Sequence, residues 1–198
     1  MSHAGLFPAE HRALRELSAF TRQLVGHWQR LGGRVGGDAG DVLDRGAATA
    51  RELIGELTGR CSKHGIELYP ASQGVGGSVA GVRGVSDLML ERNQALRSAV
   101  HDVQHVTMLL GYLAELADHR DDADLAGWHR SWETRLRAIE EEARAVAVAE
   151  GREPERAIEP AGPGSLGRAG HAVANGLGTL GEAIDGSVGR AARKLRAR

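Results

Sequence analysis

Two histidines four residues apart with a carboxylate between them, His101, Asp102 and His105 in "AVHDVQHVTMLLGYL", are the residues of this chain whose types and spacing best suit chemistry. On a helix, a spacing of four puts both imidazoles on one face. Asp102 with His105 is an i, i+3 pair of the kind that carboxylate-bridged dimetal bundles use. His129 and Glu133, again four apart, form a second candidate pair. Together these five would be the ligands of a metal centre, with iron as the cofactor. A dimetal centre needs charged oxygen ligands from all four helices of a bundle meeting in one layer. The mid-stripe residues elsewhere are Leu17, Thr21 and Leu24 in one segment and Ala50, Leu53 and Leu57 in another, and those layers read as apolar. Read for packing instead, His105 lies on the line of Leu109, Tyr112 and Leu116 at the edge of a hydrophobic seam, with no cofactor required.

Other reactive groups are few. Cys61 is the single cysteine, which excludes an internal disulfide and any multi-cysteine metal site. Arg60, Lys63 and His64 stand near it, but its place on an apolar stripe predicts a packed, inert thiol. The glycines of "GVGGSVAGVRG" lack the Gly-Lys-Ser/Thr ending of a phosphate loop, and no strand precedes them. No catalytic residue is assigned.

The elements that must position these residues are helical. In 198 residues there are 28 glycines and only 4% aromatics, so a core must come mainly from Leu, Val and Ala, with Trp28, Trp128 and Trp132 as its bulky pieces. Leu14, Leu17, Thr21, Leu24, Trp28 and Leu31 step by threes and fours until "GGRVGG", which predicts a first helix from Ala9. Asp38 or Asp41 caps a second, with Val42, Gly46, Ala50, Leu53, Leu57 and Cys61 on its stripe and Gly65 at its end. Ser86 caps a third, carrying Met89, Leu96, Val103, Val106, Leu110 and Leu113 down to "DHRDDAD". The fourth carries Leu125, Trp128, Trp132, Leu136, Ile139, Ala143 and Val146. None of the four can bury its stripe alone. The expected fold is all-α, an antiparallel four-helix bundle over residues 1–150. Nearly 20 aperiodic residues separate the second and third helices, the 66–84 stretch, enough to carry the chain from one end of a bundle to the other. One long crossover of that kind is ferritin-like connectivity.

"GREPERAIEPAGPGS" then reads as a linker over 151–164, because its prolines interrupt any helix and it offers little to bury. A basic, Gly/Ala-rich amphipathic segment follows at 165–198. Leu166, Val173, Leu177, Leu180, Ile184, Val188 and Leu195 fall on one helical stripe. Arg168, Arg190, Arg193, Lys194, Arg196 and Arg198 oppose only Glu182 and Asp185. Such a segment suits docking on a protein partner or a peripheral anionic membrane, chiefly through its apolar stripe with Arg190, Arg193 and Lys194.

At "VQHVTMLLGYLAELADHRDDADLAGWHRSWETRLRAIEEEA" and "TRQLVGHW" the chain resembles bacterial ferritin-like bundle proteins, especially small stress-associated relatives, over roughly residues 9 to 150. The resemblance implies the bundle fold and a degenerate metal site. Gln104 and Thr21 stand where the family pattern has glutamates, and Ala48 and Glu52 where it has a carboxylate and a histidine. His105 and Glu133 are the ligands it carries over. "GSLGR" at 164–168 looks like the Gly-Ser-Leu cargo peptides that load ferritin-like proteins into encapsulin shells.

The charge balance, 25 Lys plus Arg against 26 Asp plus Glu, supplies no field to recruit nucleic acid. "MSHAGLFPAEHRALRE" has no basic start followed by an apolar run, so a cytoplasmic location is expected. The favoured function is a non-enzymatic interaction or stress-associated module that docks through its tail to a protein, to itself or to a membrane surface. The alternative is a di-iron oxidoreductase or iron-handling protein using His101, Asp102, His105, His129 and Glu133.

Overall fold

The computed structural model describes residues 5–63, 65, 66, 68 and 90–161, and the statements below concern these. Four long helices dominate: α1 (Pro8–Val35), α2 (Gly37–Lys63), α3 (Arg92–His119) and α4 (Ala123–Ala149). Among the described residues there is no strand, only an isolated bridge between Glu91 and Pro160. No helix among them is long and apolar enough to cross a membrane.

Each helix begins and ends for local reasons. Pro8 in the first turn of α1 has no N–H to leave unsatisfied, and Glu10 reaches back to accept from the Phe7 N–H at 2.8 Å. The helix does not stop at Gly32 and Gly33 but runs on to Val35. Close packing accounts for this: a Cβ on Gly40 of α2 would stand 2.9 Å from the Gly32 carbonyl oxygen, so both glycines let two backbones touch. The chain reverses through Gly36 and Gly37, both at φ +57°, where a side chain would be strained. Helix α2 starts at once, so Asp38 lies within its first turn and Asp41 inside the helix; neither is its cap. Its end has paired bonds, from the Ile66 N–H to the Cys61 carbonyl and from the Gly65 N–H to the Ser62 carbonyl, with Gly65 at φ +66°. Helix α3 starts at Arg92 rather than at Ser86, which lies outside the described residues with Met89. Asp122 caps α4 by accepting from the Leu125 N–H at 3.0 Å.

Helix α1 packs on α2 and α3, and α4 packs on the same two. The interior is filled by side chains almost wholly withdrawn from solvent: Leu17, Leu24, Trp28, Leu53, Leu57, Leu96, Leu110, Leu113, Trp132 and Leu136. At about 1.5–3 kcal/mol for each large apolar side chain, this burial is the main stabilising term. In the core, Thr21 donates to the Leu17 carbonyl one turn back at 2.6 Å, and Trp28 Nε1 donates across to the Ala99 carbonyl of α3 at 3.2 Å.

Residues 151–161, read from sequence as the start of a linker, are folded. A 3-10 turn (Glu150–Arg152) and a one-turn helix, α5 (Pro154–Ala157), lead back to the start of α3. There the Arg92 N–H donates to the Glu159 carbonyl, the Ala161 N–H to the Leu90 carbonyl, and Asn93 Nδ2 to the Ala157 carbonyl. Ala157 and Ala161 are buried. Short side chains and backbone bonds suffice to seat a strap that a search for apolar stripes passes over.

Candidate functional site

The five predicted ligands do not share a layer. His101 is exposed, and its Nδ1 lies 3.2 Å from Gln104 Oε1 on the same helix. Asp102, one position on and so about 100° around the helix, is buried and accepts from His27 Nδ1 of α1. His105 is partly exposed at the α1 rim, where its Nε2 donates to Glu16 Oε1 at 3.1 Å and its ring packs on Phe20, centroids 4.1 Å apart. Glu133 accepts from Arg137 Nε at 3.0 Å and Nη2 at 2.7 Å and lies over Gly111 of α3. Glu52 is exposed and paired with Arg135 at 2.6 Å. Among the described residues, no three His, Cys, Asp or Glu side chains are grouped so as to hold a metal ion.

His129 differs from the other four. It is 0% exposed and sits edge-on to Trp128, and neither ring nitrogen has a hydrogen-bond partner among the described residues. Burial, with the Arg60 cation adding to it and Asp122 opposing, lowers its pKa to about 4. It is therefore a neutral imidazole at ordinary pH. Cys61 is also withdrawn from water, and burial raises its thiol to about 11, so the thiolate that a nucleophile needs is scarce.

Polar residues that the sequence reading passed over hold the helices in register. Glu56 of α2 accepts from Trp128 Nε1 at 2.8 Å and from Trp132 Nε1 at 3.0 Å, both on α4. These two hydrogen bonds, with the Arg135 and Arg60 cations, lower its pKa against the opposing effect of burial. The same cations stack on the indoles, Arg60 at 4.9 Å from the Trp128 ring centre and Arg135 at 4.0 Å from that of Trp132. At one end of the bundle Arg120 reaches buried Glu10 at 3.2 Å and Asp122 at 3.1 Å. At the other, Arg92 Nε lies 2.9 Å from both Glu150 oxygens while its Nη1 donates to the Val35 carbonyl at 2.7 Å. A signal for some of these exists: His27 falls three residues after Leu24 and four before Leu31, and a buried indole N–H needs an acceptor.

The docking residues Leu166, Val173, Leu177, Leu180, Ile184, Val188, Arg190, Arg193, Lys194 and Leu195 lie outside the described residues. So do the Gly-Ser-Leu motif and most of the 66–84 stretch. On the described surface, the large apolar side chains left in water are Met108 (71% exposed), Tyr112 (48%), Val148 and Ile158. Met108 and Tyr112 are neighbours, one turn apart on the outer face of α3.

Over the described residues, fold and site together define an all-α bundle of four long packed helices, with a mainly apolar interior and polar pairs linking the helices. Compared with protein-family models, with curated proteins and with solved structures, the chain finds no match in any of the three.

Proposed function

We propose that this chain is an antiparallel bundle of ferritin-like connectivity that works as a non-enzymatic interaction module, docking through its basic segment 165–198 to an acidic protein surface or an anionic membrane surface. The cross-helix pairs support the connectivity. Along α1, Glu10, Glu16, His27 and Val35 meet Arg120, His105, Asp102 and Arg92, so α3 descends as α1 ascends. Along α2, Arg45, Glu52 and Arg60 meet Glu142, Arg135 and Asp124, giving the same sense for α4. Neighbours that run in opposite directions leave α2 and α3 pointing the same way on a diagonal, which requires a long crossover between them.

The observation that carries the functional reading is the filling of the bundle's middle. The buried interior is mainly apolar, with Leu17, Leu24, Trp28, Leu53, Leu110, Trp132 and Leu136 beside the polar Thr21, His27, Asp102 and His129, which supports a reading without a bound cofactor. Interaction then falls to the surface and to the tail, where six basic residues stand against two acids. The test is co-sedimentation of the full chain with phosphatidylserine-containing and neutral vesicles, beside a form with Arg190, Arg193, Lys194 and Arg196 changed to Gln. Anionic-vesicle binding that the substitutions abolish, with the thermal transition unchanged, is the expected result. Binding equal in both forms overturns the tail's role, and failure to bind either vesicle overturns docking on a membrane.

A further inference from the structure

The outer face of α3 differs in chemistry from the other described helix faces. Between exposed Arg97 and exposed Glu115, the only Lys, Arg, Asp or Glu is Asp102, which is buried against His27. What this stretch presents to solvent is Ser98, His101, Gln104, His105, Met108, Gly111 and Tyr112. The outer faces of α2 and α4 carry charges at nearly every turn, and the uncharged run of α1 between Arg22 and Arg30 is less than half as long. Depletion of charge with exposed Met and Tyr at the centre is the composition of an interface core.

The two bounding charges fix what fits there. Arg97 and Glu115 are 18 residues apart, which is five whole turns at 3.6 residues per turn, so they project from the same side of the helix about 27 Å apart. One is a cation and the other an anion, placed evenly about the level of Val106. A face of that kind is complementary to itself under a two-fold rotation. Arg97 uses Nη2 to donate to Asn93 Oδ1 at 2.8 Å. Glu115 takes a contact of 3.3 Å from Arg130, whose closer partner is Asp118. Both charges remain exposed.

We infer that this face binds a second copy of the chain, α3 against α3 in opposite directions about a two-fold axis near Val106. Arg97 then meets the partner's Glu115 at each end, Tyr112 lies beside the partner's His101, and Met108 packs at the centre against the partner's Gln104 and the partner's His105. A strip about 27 Å long lies at or below the roughly 1,200 Å² lower limit of stable specific interfaces, with Glu16 of α1 and Glu140 of α4 at its rim, as suits a reversible dimer. The inference is independent of the tail's role.

Charge reversal tests it on the full-length chain, read by sedimentation velocity from roughly 1 to 100 μM, a range in which weak dimers are detected. In either Arg97→Glu or Glu115→Arg alone, both ends of the dimer present like charges. Each variant should dimerise about tenfold more weakly than the parent, with its thermal transition unmoved because both sites are exposed. Mixed in equal amounts, the two variants should associate again. The acid introduced at position 97 of one chain then faces the base introduced at position 115 of the other, and the unchanged Glu115 and Arg97 pair at the far end. Met108→Ser with Tyr112→Ser should also weaken the parent dimer without affecting folding. A parent chain that stays monomeric at 100 μM overturns the inference. Single variants that dimerise like the parent, or a mixture that fails to recover, overturn it as well; in those cases a different surface or the tail makes the contact.

Discussion

Trp28 lies against the Cα of Gly46 so closely that a Cβ there would stand 2.1 Å from Cζ3 and 2.5 Å from Cε3 of the indole, and 2.8 Å from Ile139 Cγ2 on the opposite side. The glycine sits mid-helix, where alanine would ordinarily gain about 1 kcal/mol. Here the ring is fully buried and anchored by its bond to the Ala99 carbonyl, so it cannot swing away. Gly46→Ala should therefore destabilise the protein by about 2 kcal/mol, the usual scale of overpacking. Urea unfolding followed by tryptophan fluorescence gives the value; a stabilised variant would show that α1 and α2 can spread at no cost.

His129 should make stability depend on pH. Its folded pKa, about 4, lies below the unfolded value of about 6.5, so the unfolded chain binds the extra proton. Stability from this group is complete above about pH 6.5, falls as the pH drops towards 4, and levels off below. His129→Leu removes a proton-accepting group and both unpartnered nitrogens. The variant should be as stable as the parent or more so at pH 7.5 and should lose less on acidification. Parallel urea titrations between pH 7.5 and 4.5 give the difference; parallel curves for the two proteins would remove His129 as the cause.

Arg92 and Glu150 form a buried pair, and removing one member leaves an uncompensated charge. Arg92→Met should lose about 3–5 kcal/mol, since the Val35 carbonyl also loses its donor. Combining it with Glu150→Met should restore part of that loss, because the stranded carboxylate is gone. A double variant as unstable as the sum of the singles would mean that the two residues act separately.

Iron loading separates the two functional readings. Incubated with ferrous iron under anaerobic conditions and desalted, the chain should keep well under one equivalent by elemental analysis. Two tightly held equivalents per chain would revive the di-iron reading and the ligand set His101, Asp102, His105, His129 and Glu133.

Much of the architecture is legible because a stripe needs only one segment to be seen. Leu17, Thr21, Leu24 and Trp28 announce α1, Leu53, Leu57 and Cys61 announce α2, and all are buried. The partners of polar residues are not legible in this way. Asp102 can be placed on a helix from its neighbours, but its pairing with His27 spans 75 positions, and that of Glu56 with Trp128 spans 72. Periodicity gives the face of a helix without saying what stands opposite. The passage of α1 through Gly32 is hidden for a related reason, since the helix cost of a glycine is visible in one segment and its reward lies on Gly40 in another.

The strap has a mechanical consequence. Because residues 150–161 return to Leu90 and Glu91, Ala161 is held beside the first turn of α3. A load drawn on Ala161 would meet the bonds that Leu90, Arg92 and Asn93 make to the strap, at the start of α3, before it reached the last turn of α4. The strap is in effect a strain relief for the end of α4, shared with the start of its neighbour.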